Sequence, residues 1–386
     1  MISYFYYKKN NKFSSNFISF FIKHLLDFFV IFLIISLCLF SKNNIESAKQ
    51  GAINFFEYVF PSLFCFLIAI NLLNYTNLPY YISKLFYKIM PKLFGISGIG
   101  IYPFVLGTLS GFPTGAKIIC DLKNSKKITE VESERLISFC NNPGPLFILG
   151  TIGFSLLKDS TTGFLLLIVQ ILSSISVGLI FKNWKKSKIN YEFNFPKTSS
   201  DFKHFGKYFS ESINSSISSI LSIGGIIIFF SVFTSILKDS QIFSLIFLPE
   251  NIKIFIQNFL LGILELTNGI INFANLNSKH LSFNIIICSF LLGFGGISVM
   301  LQSLSFLKTS NISAKPYLLG KIFQGCFASF YTFIIYTFFP LTKLDFTYLP
   351  LGILLIIFII FSINYYYFIK WQKNNWYIYT LFVYLC

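Results

Sequence analysis

The sequence predicts an all-α, polytopic integral membrane protein in which several helices are discontinuous or re-entrant. Hydrophobic residues make up 54% of the 386 residues and charged residues only 12%, whereas soluble proteins carry about 25% charged residues. The mean hydropathy is +0.68, and several apolar runs approach the roughly 20 residues that a helix needs to cross a bilayer. Because lipid offers the backbone no hydrogen-bond partners, and the alternation of membrane strands is absent, helices are the expected spanning elements.

The distribution of charge and cysteine argues against several other classes of protein. The net charge of +16 comes mainly from short lysine clusters beside apolar runs, a bias that orients membrane proteins, and not from the single basic patch of a nucleic-acid binder. The seven cysteines are scattered without a CxxC pair, so we expect core residues and neither disulfides nor a metal site. The motifs of P-loop proteins, HExxH metalloproteases and GxSxG hydrolases are missing. We therefore expect no enzyme activity, catalytic residue, cofactor or nucleic-acid partner.

A polar, lysine-rich linker divides the chain into two membrane halves of similar length. The N-terminal lysines precede an apolar stretch without a small-residue cleavage site, which predicts an uncleaved first span. The predicted segments are an N-terminal tail with the first span (1–52), the first half (53–181), a basic cytoplasmic linker (182–210) and the second half (211–386).

The elements before the linker follow from apolar patterning and two local signals. The patterning predicts a first span over 17–40, an amphipathic stretch over 45–60, and spans over 60–73 and 161–181. Lys84, Lys88 and Lys92 recur at helical spacing, which predicts a helix lying in the membrane interface. Thr129 followed by Glu132 predicts a capping box at the start of a short helix.

The second half offers five further apolar runs with lysines between or after them. The runs lie near 217–237, 242–264, 281–307, 318–340 and 347–369. The lysines that mark predicted cytoplasmic edges are those at 308, 315, 321, 370 and 373.

Four dense interruptions break the apolar runs, two before the linker and two after it. They are GTLSGFPTGAK (107–117), NNPGPLFILGTIG (141–153), ELTNG (265–269) and LLGFGGISVMLQS (291–303). Polar backbone survives at membrane depth only when it is buried in protein or lines a wet cavity, and paired discontinuous helices indicate a transporter's midplane site. The lysine bias requires the first interruption to re-enter the membrane, and we expect GFGGISVMLQS to turn back as well.

The interruptions supply a predicted binding site for a small polar or anionic molecule. A broken helix start offers backbone N–H groups and a positive dipole end, to which hydroxyl, amide and lysine side chains add further donors. The predicted substrate-binding residues are Ser110, Gly111, Pro113, Thr114, Gly115, Lys117, Asn141, Asn142, Gly144, Glu265, Asn268, Gly295, Gly296, Ser298 and Gln302.

Two charged residues of this set have competing interpretations. A carboxylate within a membrane span is costly, so Glu265 is a candidate for proton coupling, cation coordination or substrate binding. The alternative for Glu265 is a structural pair with a lysine. Lys117 is either a charge that attracts an anion or an ordinary lysine at the membrane boundary.

SGFPTGAK (110–117) and GFGGISV resemble segments of the sporulation integral membrane protein YlbJ family, also called stage V sporulation protein V. That family carries the Gate domain shared with nucleoside and ferrous-iron transporters. The resemblance extends in the same order through FFEYVFPSLFCFLI (55–68), ERLISFCNNPGPLFILGTIG (134–153), LELTNGI (264–270) and LLGFGGISVMLQ (291–302).

The resemblance implies two Gate-like halves in a multi-pass protein of the mother-cell-derived membrane around the forespore. It further implies that the protein moves dipicolinate, a small planar dianion, toward the developing spore. The expected partners are then the lipid bilayer and this anion, and a homo-oligomer is left open. Two alternatives remain: a nucleoside or cation transporter of the same architecture, and a sporulation scaffold that transports nothing.

Overall fold

The computed structural model describes residues 24–73, 75–185, 202–240, 248–274, 276 and 281–338, and the regular elements in these ranges are helices. Four of these helices are long and apolar enough to cross a membrane, and a bent pair makes a fifth candidate. The prediction of an all-α polytopic membrane protein is therefore confirmed. The predicted span over 347–369, the N-terminal lysines and the centre of the predicted linker lie outside the described residues.

A bent N-terminal layer packs against one long helix. Helix α1 spans Leu25–Leu39 and α2 spans Ser41–Asn54, and the two meet at 99°. A π-helical turn, Phe55–Val59, leads into α3, Phe60–Leu73. The apolar side chains of this layer form a core with those of α10, which spans Phe205–Asp239.

Two short helices follow, α4 over Leu78–Phe86 and α5 over Ile89–Phe94. Their lysines at 84, 88 and 92 are exposed. The predicted interfacial helix is thus two helices, with a turn at Tyr87 and Lys88 between them. Their place in the membrane interface stays a prediction.

The first interruption is a helical hairpin. Helix α6 spans Ile101–Ser110 and α7 spans Thr114–Asn124, with the reversal at 111–113. The two helices lie side by side, because a methyl group built on Gly107 would lie 2.9 Å from the Cα of Gly115. The predicted reversal of this segment is confirmed, and we call it hairpin 1.

Behind hairpin 1 the chain forms a broken helix and then a long one. Helix α8, Glu130–Ile137, begins with the predicted capping box, in which the Glu132 amide donates to the Thr129 hydroxyl and the Thr129 amide donates to the Glu132 carboxylate. The chain is then non-helical over 141–144 and continues as a π-helix, Phe147–Leu156. Helix α9 follows over Ser160–Phe181.

The second half repeats this order of hairpin, broken helix and long helix. Helices α11, Glu250–Leu264, and α12, Leu266–Ala274, form hairpin 2 with its tip at Glu265. Helices α13, Leu281–Phe294, and α14, Gly296–Thr309, form the second broken helix, and α15 spans Lys315–Phe338. In hairpin 2 the backbones of Gly262 and Gly269 are in direct contact, which lets the two arms close on each other.

The prediction that GFGGISVMLQS turns back is wrong. The helices on either side of Gly295 form one candidate span of 27 residues, Phe283–Thr309. Gly293 of this segment faces α15, where an added methyl group would lie 2.8 Å from the Gln324 carbonyl oxygen. The reversal of the second half lies at ELTNG.

A cluster of buried charged residues on α8 fixes the end of α9. Glu134 accepts hydrogen bonds from the Trp184 indole (2.8 Å) and the Lys185 ammonium (2.7 Å). The hydrogen bond with Glu134 raises the pKa of Lys185. Arg135, the single arginine of the chain, donates to the backbone oxygens of Gly95, Trp184 (2.9 Å) and Lys185 (2.7 Å). One planar guanidinium thus joins three separate segments.

We expect Arg135→Lys to lower the stability of the protein by about 2 kcal/mol or more. An ammonium cannot reproduce the fixed fork of donors, and each lost bond to a charged group is worth roughly 1.5–3 kcal/mol. The melting temperature of the detergent-purified protein measures this effect. Glu130→Gln, a change at an exposed position of the same helix, is the control and should melt close to the parent.

Candidate functional site

The two hairpin tips and the two helix breaks meet at one place in the structure. A methyl group built on Gly111 of hairpin 1 would lie 2.8 Å from the amide nitrogen of Gly144 in the first broken helix. One built on Gly295 in the second broken helix would lie 3.2 Å from Cζ of Phe112. One built on Gly296 would lie 3.1 Å from the amide nitrogen of Leu266 in hairpin 2. Four interruptions that are far apart in sequence are therefore neighbours.

A cavity of about 80 Å³ opens at this meeting point, which is room for several water molecules. Its polar side chains come from hairpin 2 and α14: Glu265, Thr267, Ser298 and Gln302. Apolar residues of the layer formed by α3 and α10 close another side, among them Leu63 and Ile223. The combination of a mainly apolar wall with a few converging polar groups is typical of a small-molecule site.

Glu265 is buried, with 3% of its surface exposed, and its carboxylate caps the start of α12. One oxygen accepts from the Thr267 amide at 3.0 Å and the other from the Asn268 amide at 2.7 Å. A carboxylate in this position complements the positive end of the helix. The predicted interior location is confirmed, and the described residues show no lysine paired with it.

The first broken helix is held open by two buried asparagines. Asn141 donates to the Ser303 hydroxyl at 2.8 Å and to the Tyr317 hydroxyl at 3.2 Å. Asn142 donates to the Thr108 hydroxyl at 3.0 Å and accepts from the Gln324 amide at 2.9 Å. These bonds satisfy the two buried amides with partners on the elements around the break, so the break is a built feature of the site.

A lysine that the sequence analysis assigned to a cytoplasmic edge lies beside this network. Lys321 of α15 is buried, and its ammonium donates to the Asn141 carbonyl oxygen (3.0 Å) and the Gln324 side chain (2.7 Å). It also lies 4.8 Å from the centre of the Phe112 ring. The edge assignment of Lys321 is therefore wrong, since tertiary packing places α15 inside the protein at this point.

A curated protein of Bacillus subtilis (strain 168), the sporulation integral membrane protein YlbJ, is 28% identical to this chain over 335 residues. The aligned region covers 80% of this chain and 81% of that protein. This similarity over most of both chains supports the resemblance to the YlbJ family of sporulation integral membrane proteins. No family model matches the chain, and no solved structure matches it.

The segments that carry the resemblance to the YlbJ family occupy the four interruptions. SGFPTGAK forms the tip of hairpin 1, NNPG the first helix break, ELTNG the tip of hairpin 2, and GFGG the second helix break. The segments quoted for the family are thus the ones that meet around the cavity.

The structure brings most of the predicted site residues to this place. Those that line the cavity are Gly111, Gly144, Glu265, Ser298 and Gln302. Those that lie in or beside the breaks without lining the cavity are Ser110, Pro113, Thr114, Gly115, Asn141, Asn142, Asn268, Gly295 and Gly296. Lys117 does not line the cavity, and its ammonium donates to the Ser215 hydroxyl of α10 at 2.8 Å.

Phe112, Lys321 and Gln324 were missed by sequence reasoning. Lys321 and Gln324 lie three residues apart in an apolar helix, between Gly320 and Gly325. Two polar residues on one helix face, flanked by small residues, indicate a buried polar contact with a neighbouring element. That signal was available in the sequence.

Proposed function

We propose that this protein transports a small organic anion, dipicolinate, from the mother cell toward the forespore during sporulation. The observation that carries the proposal is the meeting of two hairpin tips and two helix breaks around one polar cavity. Broken helices present backbone groups at membrane depth, which is how secondary transporters bind polar substrates. A repeated order of elements on either side of that cavity suits alternating access, and it supports kinship with the Gate-domain transporters.

An anion also fits the helix start beside the cavity. Helix α14 begins without a side-chain cap, because the residue before it is Gly295. Ser298 and Gln302 of this helix line the cavity, so its positive end lies close to the same space. The proposal includes location of the protein in the membrane around the forespore. It includes no catalytic step, metal or cofactor.

A second candidate is transport of a nucleoside or a cation. The observation that favours it is that Glu265 is the charged residue among those lining the cavity. Amide and carboxylate groups suit the hydrogen-bonding edge of a base or the shell of a cation. Both carboxylate oxygens already accept bonds from α12, which leaves Glu265 less able to bind a ligand, so the anion stands first.

Uptake into proteoliposomes tests the proposal. We expect saturable uptake of labelled dipicolinate, with competition by unlabelled dipicolinate and little competition by uridine or by sodium at equal ionic strength. Empty liposomes and heat-denatured protein are the controls. Uptake of uridine or of a cation in preference to dipicolinate would favour the second candidate, and uptake of none of them would contradict both.

A further inference from the structure

Lys321 is a buried cation whose partners are neutral. Only 1% of its surface is exposed, and its hydrogen-bond acceptors are a backbone carbonyl and an amide side chain. The described residues provide no carboxylate within ion-pair distance of it. A charge buried without a counter-ion is costly, and in a membrane protein such a group marks a functional site by default.

The ring of Phe112 separates this cation from the cavity. Phe112 lies at the tip of hairpin 1 and lines the cavity. The Lys321 ammonium lies 4.8 Å from the ring centre, within the distance at which a cation is attracted to an aromatic face. Rotation of one side chain at a hairpin tip would therefore connect the ammonium with the cavity.

The second helix break adjoins the same ring and the same lysine. A methyl group on Gly295 would lie 3.2 Å from Cζ of Phe112 and 3.6 Å from Cε of Lys321. The uncapped start of α14 and the ammonium thus lie close together, and both favour negative charge. Gly296 faces hairpin 2 instead, so Glu265 lies toward the other side of the break.

We propose that Lys321 binds a carboxylate group of the transported anion, and that Phe112 is the gate that covers it when the site is empty. The inference rests on the proposed function. It identifies Lys321 as the positive charge that would bind the anion, since none of the residues lining the cavity is a cation. The carboxylate replaces the neutral acceptors of the ammonium and neutralises the buried charge. A planar aromatic carboxylate suits this place, because its ring lies against Phe112 once that side chain has moved aside.

Lys321→Gln tests the role of the ammonium charge by comparing dipicolinate with a neutral analogue of similar shape. We expect the apparent affinity for dipicolinate to fall by about tenfold or more, equivalent to about 1.4 kcal/mol. The neutral analogue pyridine-2,6-dicarboxamide should compete about as well as with the parent. Lys308→Gln, which removes an exposed lysine of α14, should leave both values unchanged. Equal loss for the two competitors would indicate a merely structural role and overturn the proposal.

Chemical rescue separates the charge from the fold. In a transport-competent background without native cysteines, Lys321→Cys should transport dipicolinate poorly. Reaction with 2-aminoethyl methanethiosulfonate restores an ammonium and should restore uptake, whereas the methyl reagent should not. Rescue by both reagents or by neither overturns the role of the charge.

Phe112→Trp decides the case if the lysine variants do not reach the membrane. The larger ring should slow uptake of dipicolinate several-fold at unchanged protein abundance, and unchanged uptake would overturn the gate. Absence of dipicolinate uptake by the parent protein contradicts the proposed function itself. Normal uptake by the parent with an unchanged charge preference in Lys321→Gln contradicts this inference alone.

Discussion

Gly111→Val should abolish transport. Gly111 has a backbone conformation that residues with a side chain rarely adopt, and it makes a contact that leaves no room for a side chain. Its φ of 82° and ψ of 179° are in a region that is essentially restricted to glycine. An added methyl group would also lie 2.8 Å from the backbone nitrogen of Gly144. The backbone strain costs about 1–3 kcal/mol, and overpacking adds roughly 1–3 kcal/mol. The tip of hairpin 1 therefore cannot remain against the first helix break.

The measurement is the initial rate of dipicolinate uptake, normalised to the amount of folded protein. Gly225→Val is the matched control, since a methyl group there meets no atom within 4 Å, and it should transport like the parent. Gly111→Ala carries the smallest side chain and should fall between the two. Normal uptake by a well-expressed Gly111→Val would mean that the tip does not have to touch the break during transport.

The sequence was sufficient to predict hairpin 1 because its signal is local. GTLSGFPTGAK places glycine, proline and hydroxyl residues inside an apolar run, and lysines fix both ends on one side. Two of its glycines serve close contact, since methyl groups on Gly107 and Gly115 would both collide with the Cys140 carbonyl oxygen. That the contact is with the first broken helix was not predictable, since residue spacing does not specify the partner.

The same reasoning failed for GFGGISVMLQS because glycine serves two purposes that look alike in sequence. Gly293 permits close approach of α15, whereas Gly262 and Gly269 permit closure of hairpin 2. Only the three-dimensional arrangement distinguishes these uses. The sequence signal for the second reversal is a pair of glycines, three residues before and four residues after Glu265.

Charge was the least predictable property of the candidate site. A lysine near the start of an apolar run was interpreted as an edge marker, and that rule holds for most lysines in membrane proteins. Lys321 departs from it because α15 packs against the first broken helix, where a methyl group on Gly320 would collide with the Ser138 carbonyl oxygen. Lys117, the lysine among the predicted substrate-binding residues, bonds a serine of α10.

Glu265→Gln should reduce dipicolinate uptake strongly, and the structure gives two reasons. Both carboxylate oxygens accept from backbone amides, of Thr267 and of Asn268. A glutamine can accept at one of these positions, but its NH₂ group then faces a second N–H donor. A lost hydrogen bond to a charged group is worth roughly 1.5–3 kcal/mol. The tip of hairpin 2 should therefore loosen, and the negative charge in the cavity disappears at the same time.

A set of substitutions at Glu265 distinguishes the cap from the charge. Asparagine is a good N-cap without charge, aspartate is a good N-cap with charge, and alanine supplies neither. If the charge drives transport, for example by carrying a proton, Glu265→Asp should keep more uptake than Glu265→Asn, while both keep a melting temperature above that of Glu265→Ala. Equal uptake by the aspartate and asparagine variants would assign Glu265 to the cap alone.

Glu57→Gln, at an exposed glutamate of the first half, is the control. Parent-like uptake in Glu265→Gln would contradict both roles, since a tip that tolerates a misplaced donor needs neither the cap nor the carboxylate.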